Sequence, residues 1–400
     1  VVSLSNSSAS SAKLFTKCFV LVWFSALGLN LCQNILNNAI SLYVTSIGFS
    51  TGFAGSLGIP YAICAIVMRF LGGNWVDRHS RRSLLAFGCF AFGISALLFG
   101  LIPSAVALLL FRAIHGFSFS AGQLASSTIN VDVTPKEKST LGIGIFWVSS
   151  AISIGCAGYA VTALTSGGSY QPMFWACAIS AIVGGVLALL CDYEKKQPVA
   201  SVEKAPPAAS ARERILRFVE PSAAKPAILM FMMAGSISCV SMYMLLFAQT
   251  VGYSNAGLAL VFATIGMAIG NLSSDGLMRG IGARNTLLFS FALCAVGFVA
   301  MAEIHSMATY LLGGTVYGFL QGICMPVLYS LAVDKMPANR RGVAGGTVYC
   351  MLDLGVGAGS YIWGVVIGIG GFAVTFDAAA AVLVAAIVLT FVFYPRSKEA

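Results

Sequence analysis

Two ionisable side chains, Arg112 and Asp353, stand at depth in long apolar stretches of this chain, among polar residues at helical spacing. Arg112, His115, Phe119 and Gln123 fall on one helix face by the i, i+3/i+4, i+7 rule. Asn30, Gln33, Asn34 and Asn37 form a second stripe, made wholly of amides. Asp353 opens the run Asp353-Leu-Gly355-Val-Gly357-Ala-Gly359, whose glycines permit close helix approach. Ionisable groups held in lipid are expensive and mark solute or proton pathways. Arg112 keeps its charge and suits an anionic group or a neighbouring carboxylate. Asp353 and His115 can take up and release a proton. The plainer reading of the amides is that they tie helices together, at about 0.6 kcal/mol per contact. Asp275 and Asp377 fall nearer span ends, and Arg69, near the end of its own span, is expected to snorkel to the interface.

Other chemistries lack their constellations. His79, His115 and His305 lie far apart, so neither a metal site nor a membrane enzyme is expected, and no cofactor is called for. The eleven cysteines (Cys18, Cys32, Cys64, Cys89, Cys156, Cys177, Cys191, Cys239, Cys294, Cys324, Cys350) are scattered singly, without a CxxC pair. They read as small apolar packing residues.

The elements that must position these groups follow from composition. Of the 400 residues 58% are hydrophobic and 9% charged, with 43 glycines and a mean hydropathy of +0.88. A typical soluble domain has about 25% charged residues, so a soluble enzyme, a disordered chain and a coiled coil are all excluded. A spanning helix needs about 20 mostly apolar residues. Such runs fall at 14–40, 51–75, 83–102, 105–130, 141–164, 171–191, 224–250, 256–278, 285–302, 307–332, 342–368 and 371–394, twelve in all. Residues 1–12 are Ser-rich and uncharged, and the run after Lys13 and Lys17 is too long for a signal h-region, so a cleaved signal is not expected.

Every Lys and Arg except Arg69 and Arg112 falls on one set of loops or in the segment 192–225. The positive-inside rule makes that side cytoplasmic and puts both termini there. The net charge of +9 is then a matter of topology, not of nucleic-acid binding. The charged, Pro-containing stretch 192–225 reads as a cytoplasmic linker, with a short interfacial helix expected at Arg212–Glu220. The expected organisation is a six-helix bundle at 1–191, the linker, and a second six-helix bundle at 226–400.

The two bundles repeat at an offset of 202 residues. Gly116 and Phe117 fall on Gly318 and Phe319, Asp132 and Pro135 on Asp334 and Pro337, Gly144 on Gly346, and Gly155 on Gly357. Paired bundles of this kind suit a transporter in which a central site is exposed alternately to each side.

After span two the chain reads Gly73-Asn-Trp-Val-Asp77-Arg78-His-Ser-Arg81-Arg82. This resembles the signature loop of the major facilitator superfamily, G-x-x-x-D-R-x-G-R-R, with Ser80 in place of the usual glycine. Arg112-Ala-Ile-His115-Gly116 resembles the R-x-x-q-G motif of the superfamily's drug–proton antiporters. The resemblance implies an all-α integral membrane fold of twelve transmembrane helices in two pseudo-symmetric bundles, monomeric, in a bacterial cytoplasmic membrane. It also implies a conformational latch of Gly73, Asp77, Arg78, Arg81 and Asp132, in which Asp77 docks on the start of span eleven and Arg81 pairs with Asp132. The second half keeps a worn copy of the loop, Gly276 to Arg284, with Gly280 in place of the aspartate. Spans one, four, seven and ten line the cavity in this family, which makes Asn30, Asn34, Arg112, His115, Gln123, Tyr317 and Gln321 cavity candidates.

Some antiporters of the group carry a titrating carboxylate on span one; this stripe has only amides, so coupling would pass through Asp353, Arg112 or His115. The first expectation is proton-coupled export of a small amphipathic compound. The alternative is an importer or facilitator of a small polar or anionic solute, with Arg112 as its counter-ion.

Overall fold

The computed structural model describes residues 14–78, 80–135, 139–192, 219–333, 336–337 and 340–395. Its helices are α1 (Lys17–Ser46), α2 (Thr51–Ser56), α3 (Gly58–Arg78), α4 (Arg81–Leu101), α5 (Ala105–Val133) and α6 (Ser139–Thr165). After α7 (Gln171–Leu189) come α8 (Ala224–Val251), α9 (Leu258–Glu303), α10 (Met307–Val333) and α11 (Arg341–Phe393). Hydroxyls start four of them: Thr16, Ser50, Ser80 and Ser104 each accept the amide three residues on. Such caps satisfy donors that a helix start leaves open. The interfacial helix expected at 212–220 falls almost wholly outside the described residues.

Ten helices among the described residues are long and apolar enough to cross a membrane. Two of these are far longer than one crossing needs: α9 has 46 residues and α11 has 53. At about 1.5 Å per residue each exceeds twice the roughly 30 Å hydrocarbon core. Each breaks at one glycine in a non-helical, positive-φ conformation, Gly282 at φ 80° and Gly371 at φ 76°. Side chains other than glycine rarely adopt that backbone, which is why each turn falls on a glycine.

In the first half α4 packs on α5 and α7, and α3 on α5; in the second α9 packs on α10, and α11 on α8. The halves meet where α2 and α3 lie on α11, α6 on α9 and α1 on α8. Faces turned away from these contacts are apolar, as at Leu272 and Ile369, 86% and 85% exposed.

The repeat at offset 202 is built into backbone contacts. Gly116 of α5 lies directly against the Tyr61 carbonyl of α3, and Gly318 of α10 against the Ala263 carbonyl of α9. Between the halves, Gly55 abuts Ser360 as Gly257 abuts Gly158, and Gly357 faces Ala62 as Gly155 faces Thr264. Each pair maps on its partner by the same 202 residues. At Gly116, Gly318, Gly55 and Gly257 small residues are required because the main chains themselves touch.

Candidate functional site

A cavity of about 600 Å³ lies between the halves. Of the residues singled out in the sequence, Asn30, Asn34, Arg112, Gln123, Tyr317, Gln321 and Asp353 all line it. They share its wall with apolar groups, among them Phe119, Leu124, Trp147, Ile154 and Met325.

His115 is not on that wall, which corrects the reading of the α5 stripe. Three residues advance a helix by about 300°, which leaves His115 roughly 60° round from Arg112, at the edge of the face shared by Arg112, Phe119 and Gln123 and on the side that packs against α4. Its ring is fully buried and stacked on Phe92 of α4, centroids 4.7 Å apart, with Phe99 beyond at 5.8 Å.

Arg112 is held from one side. Its side chain is 1% exposed, Nε donates to the Leu57 carbonyl at 3.3 Å, and the guanidinium lies 4.5 Å from the centre of the Tyr61 ring. The Tyr61 hydroxyl accepts from Gln33 Nε2 at 2.8 Å, which links the amide stripe of α1 to this arginine. Asn34 Nδ2 donates to the Asn30 carbonyl and to Ser153 Oγ, both at 2.9 Å. Among the described residues the cation–π contact and the single carbonyl are the partners this buried charge has, and Nη1 meets none there.

Asp353 has a different partner from any expected. Arg69, read as snorkelling, instead donates through Nε to Asp353 Oδ2 at 2.7 Å, and both side chains line the cavity. Its guanidinium also lies 5.8 Å from the Tyr349 ring. A carboxylate at this depth is costly without a cation beside it, and Arg69 lies within reach, so the arginine turns to it instead of to the interface. Of the residues that hold these charges, Arg69 is one the sequence reading discounts and Tyr61 one it does not single out. The signal available was the demand itself: a lone carboxylate in mid-span requires a basic partner, and span two offered one.

At the end of the molecule carrying α2 the halves are shut together. Thr51 Oγ1 donates to the Gly364 carbonyl at 2.8 Å, and Ser360 Oγ to the Gly55 carbonyl at 3.2 Å. Ser41 bonds the Met242 carbonyl, and the Tyr243 hydroxyl reaches the carbonyls of Ser360 and Thr51 at 2.8 and 3.4 Å. Away from that end the cavity continues past Asp353 to Ser127, Trp147 and Gly346.

Of the latch residues, Arg81 at the start of α4 forms an ion pair with Asp132 near the end of α5, within one half. Gly73, Asp77 and Arg78 lie in the last turns of α3. Side chains 72–78 are outside the described ones, so the docking of Asp77 on α11 is not among the contacts seen. At the same end of the second half, Glu220 accepts from Arg340 Nε at 2.8 Å and from Ser222 Oγ at 2.7 Å, while its amide donates to Thr347 Oγ1. The Ser222 hydrogen bond first, and then Arg340, hold the Glu220 carboxyl below its ordinary range.

A family model described as Major Facilitator Superfamily matches residues 22–279 and 227–400. The chain belongs to the Major Facilitator Superfamily. It is a multi-pass membrane protein and a secondary transporter. Multidrug resistance protein 1 of Bacillus subtilis (strain 168) is 23% identical to it over 362 residues, 88% of each chain. The solved nucleoside transporter NupG superposes with a TM-score of 0.77 at 15% identity, covering 96% of this chain and 100% of that one. A bacterial homologue of the human lysosomal transporter Spinster, inward-facing and unoccupied, gives 0.75 at 14% identity over 94% and 96%. At these identities the two structures report the facilitator fold, not a solute.

Proposed function

We propose that this transporter couples an inward proton gradient to the export of a small amphipathic compound, with Asp353 as the proton-carrying group. The observation that carries the reading is a carboxylate on the cavity wall, on a helix of one half and paired with a residue of the other. The mixed wall supports a solute with both an apolar body and hydrogen-bonding groups. The likeness to a multidrug resistance protein supports export. Twelve spans follow if α9 and α11 each count as two, arranged as bundles 1–191 and 226–400 about the linker 192–225. The basic loops then face the cytoplasm of a bacterial cell with both termini, and the cavity as described opens inward. Arg112 stays charged and organises Tyr61 and Gln33; His115, off the cavity, is the second candidate for coupling.

A second reading, uptake of a small polar or anionic solute, is favoured by one feature of the same wall. Two guanidiniums, Arg69 and Arg112, face one carboxylate among the described lining residues, beside a stripe of amides. The test of both is substrate-dependent proton movement in proteoliposomes, screened over neutral drugs, amphipathic amines, nucleosides and organic acids. Export predicts proton and solute moving in opposite directions; uptake predicts the same direction. Asp353→Asn should abolish concentrative transport and keep passive exchange. A variant that still concentrates solute against its gradient would remove Asp353 from the coupling role.

A further inference from the structure

The two seams between the halves are related by the repeat, and the relation fails at one point. Along the seam of α2 and α3 with α11, Gly55 meets Ser360 and Gly357 meets Ala62; along the α9–α6 seam, Gly257 meets Gly158 and Gly155 meets Thr264. Further along the first seam stand Arg69 and Asp353. Their counterparts 202 residues away are Asn271 and Ala151, which cannot form an ion pair. Closing the halves therefore does not itself require charges at this level. A buried ion pair is also a weak stabiliser beside an apolar contact of the same size, so packing alone does not account for it. Its side chains are 31% and 15% exposed, and that exposure is toward the cavity, where a proton can arrive.

We propose that the Arg69–Asp353 pair is a tie between the halves that a proton unfastens. The carboxylate holds Arg69 while the α2 end is shut; a protonated Asp353 lets go, and the halves part along this seam. The physical step is a loss of attraction: the neutral acid keeps a hydrogen bond to the guanidinium at most and loses the charge–charge term. Because Asp353 belongs to α11 and Arg69 to α3, what is lost is lost between the halves. By linkage, the conformation in which the tie is open binds the proton more tightly. Arg69 acts here as a positioning residue, through Asp353. Among the described residues the charged and titratable groups around Asp353 are Arg69 and Tyr61 of α3, and Tyr349 and Cys350 on α11 itself, with Tyr329 of α10 behind Tyr349. From α8 the neighbours at this level are Phe231, Ala234 and Gly235.

This inference rests on Asp353 as the coupling group, and its test needs no solute. Spin labels are placed through Pro103→Cys and His305→Cys, both exposed in turns at the α2 end of opposite halves, in a protein whose native cysteines are replaced. Distances between the labels are measured by electron–electron double resonance in nanodiscs across pH 5–8. The parent protein should gain a longer distance as pH falls, its ratio of open to shut changing by about tenfold. Asp353→Asn should show the longer distance at every pH, with no pH dependence. Arg69→Gln should also favour the longer distance, and Arg69→Lys, which keeps a cation, should restore the parent's pH response. A parent protein whose distances do not change with pH, or an Asp353→Asn variant that still responds to it, overturns the tie. The transport reading is judged separately. Proton-coupled transport with pH-independent distances leaves it standing while the tie falls, and a pH-responsive tie in a protein that moves no protons with solute does the reverse.

Discussion

Replacing Gly55 by alanine puts a methyl group against the Ser360 carbonyl, 2.6 Å from the Tyr243 hydroxyl oxygen and 2.9 Å from Tyr361 Cα. All three neighbours belong to the other half. Two are backbone atoms of α11, and the third is itself held at 2.8 Å by the Ser360 carbonyl, so none can swing aside. Ordinary contact between such atoms begins near ~3.5 Å, so the seam must widen by roughly 1 Å at this level. Overpacking of this kind costs about 1–3 kcal/mol. The cost falls on the shut conformation alone, which moves the ratio of open to shut by about 5- to 150-fold. A reporter cysteine at Asn37, on the cavity wall, reads this as its rate of reaction with a membrane-impermeant maleimide from the α2 side. Gly55→Ala should raise that rate at least about tenfold. Gly257→Ala, aimed at the Gly158 carbonyl on the other seam, should do likewise, whereas Gly280→Ala, with open space around it, should change nothing. A rate in Gly55→Ala equal to that of the parent would refute the claim that backbone contact at this seam shuts the α2 end.

Two further outcomes are expected. The Glu220 carboxyl is held below its ordinary range, so its cluster contributes fully above the usual glutamate pKa of about 4.3 and is lost as pH falls through the lower, folded value. Glu220→Gln should therefore lower the melting temperature at neutral pH, with the difference from the parent closing on strong acidification; a gap that stays constant down to pH 3 would argue against the cluster. Single cysteines at Ser104, Gly168 and Ser254 should react with impermeant reagents on intact cells, and one at Ala208 only after permeabilisation. External labelling at Ala208 would invert the assigned orientation.

Much of the scaffold was legible in the chain because a membrane allows few solutions. Every backbone polar group must be satisfied within its own segment, so a run of apolar residues about 20 long reads as a helix without reference to its neighbours. That the chain turns between 278 and 285 and near 368–371 was legible from where the apolar runs part; which glycines take the positive φ, Gly282 and Gly371, was decided by the fold. The repeat at offset 202 could be read from Gly116 and Gly318, but not what those glycines touch. The stripe on α1 reached the cavity wall because helical spacing alone decides which side chains share a face. Spacing does not decide how far round the helix the wall extends, and His115, one turn from Arg112, went into the packing against Phe92. Nor can one helix announce its partner in another: the pairing of Asp353 with Arg69, 284 residues apart, exists because α3 and α11 cross there. Sequence determined which charges lie at depth. Tertiary structure alone decided which of them meet, because attraction between charges depends on distance through space and not along the chain.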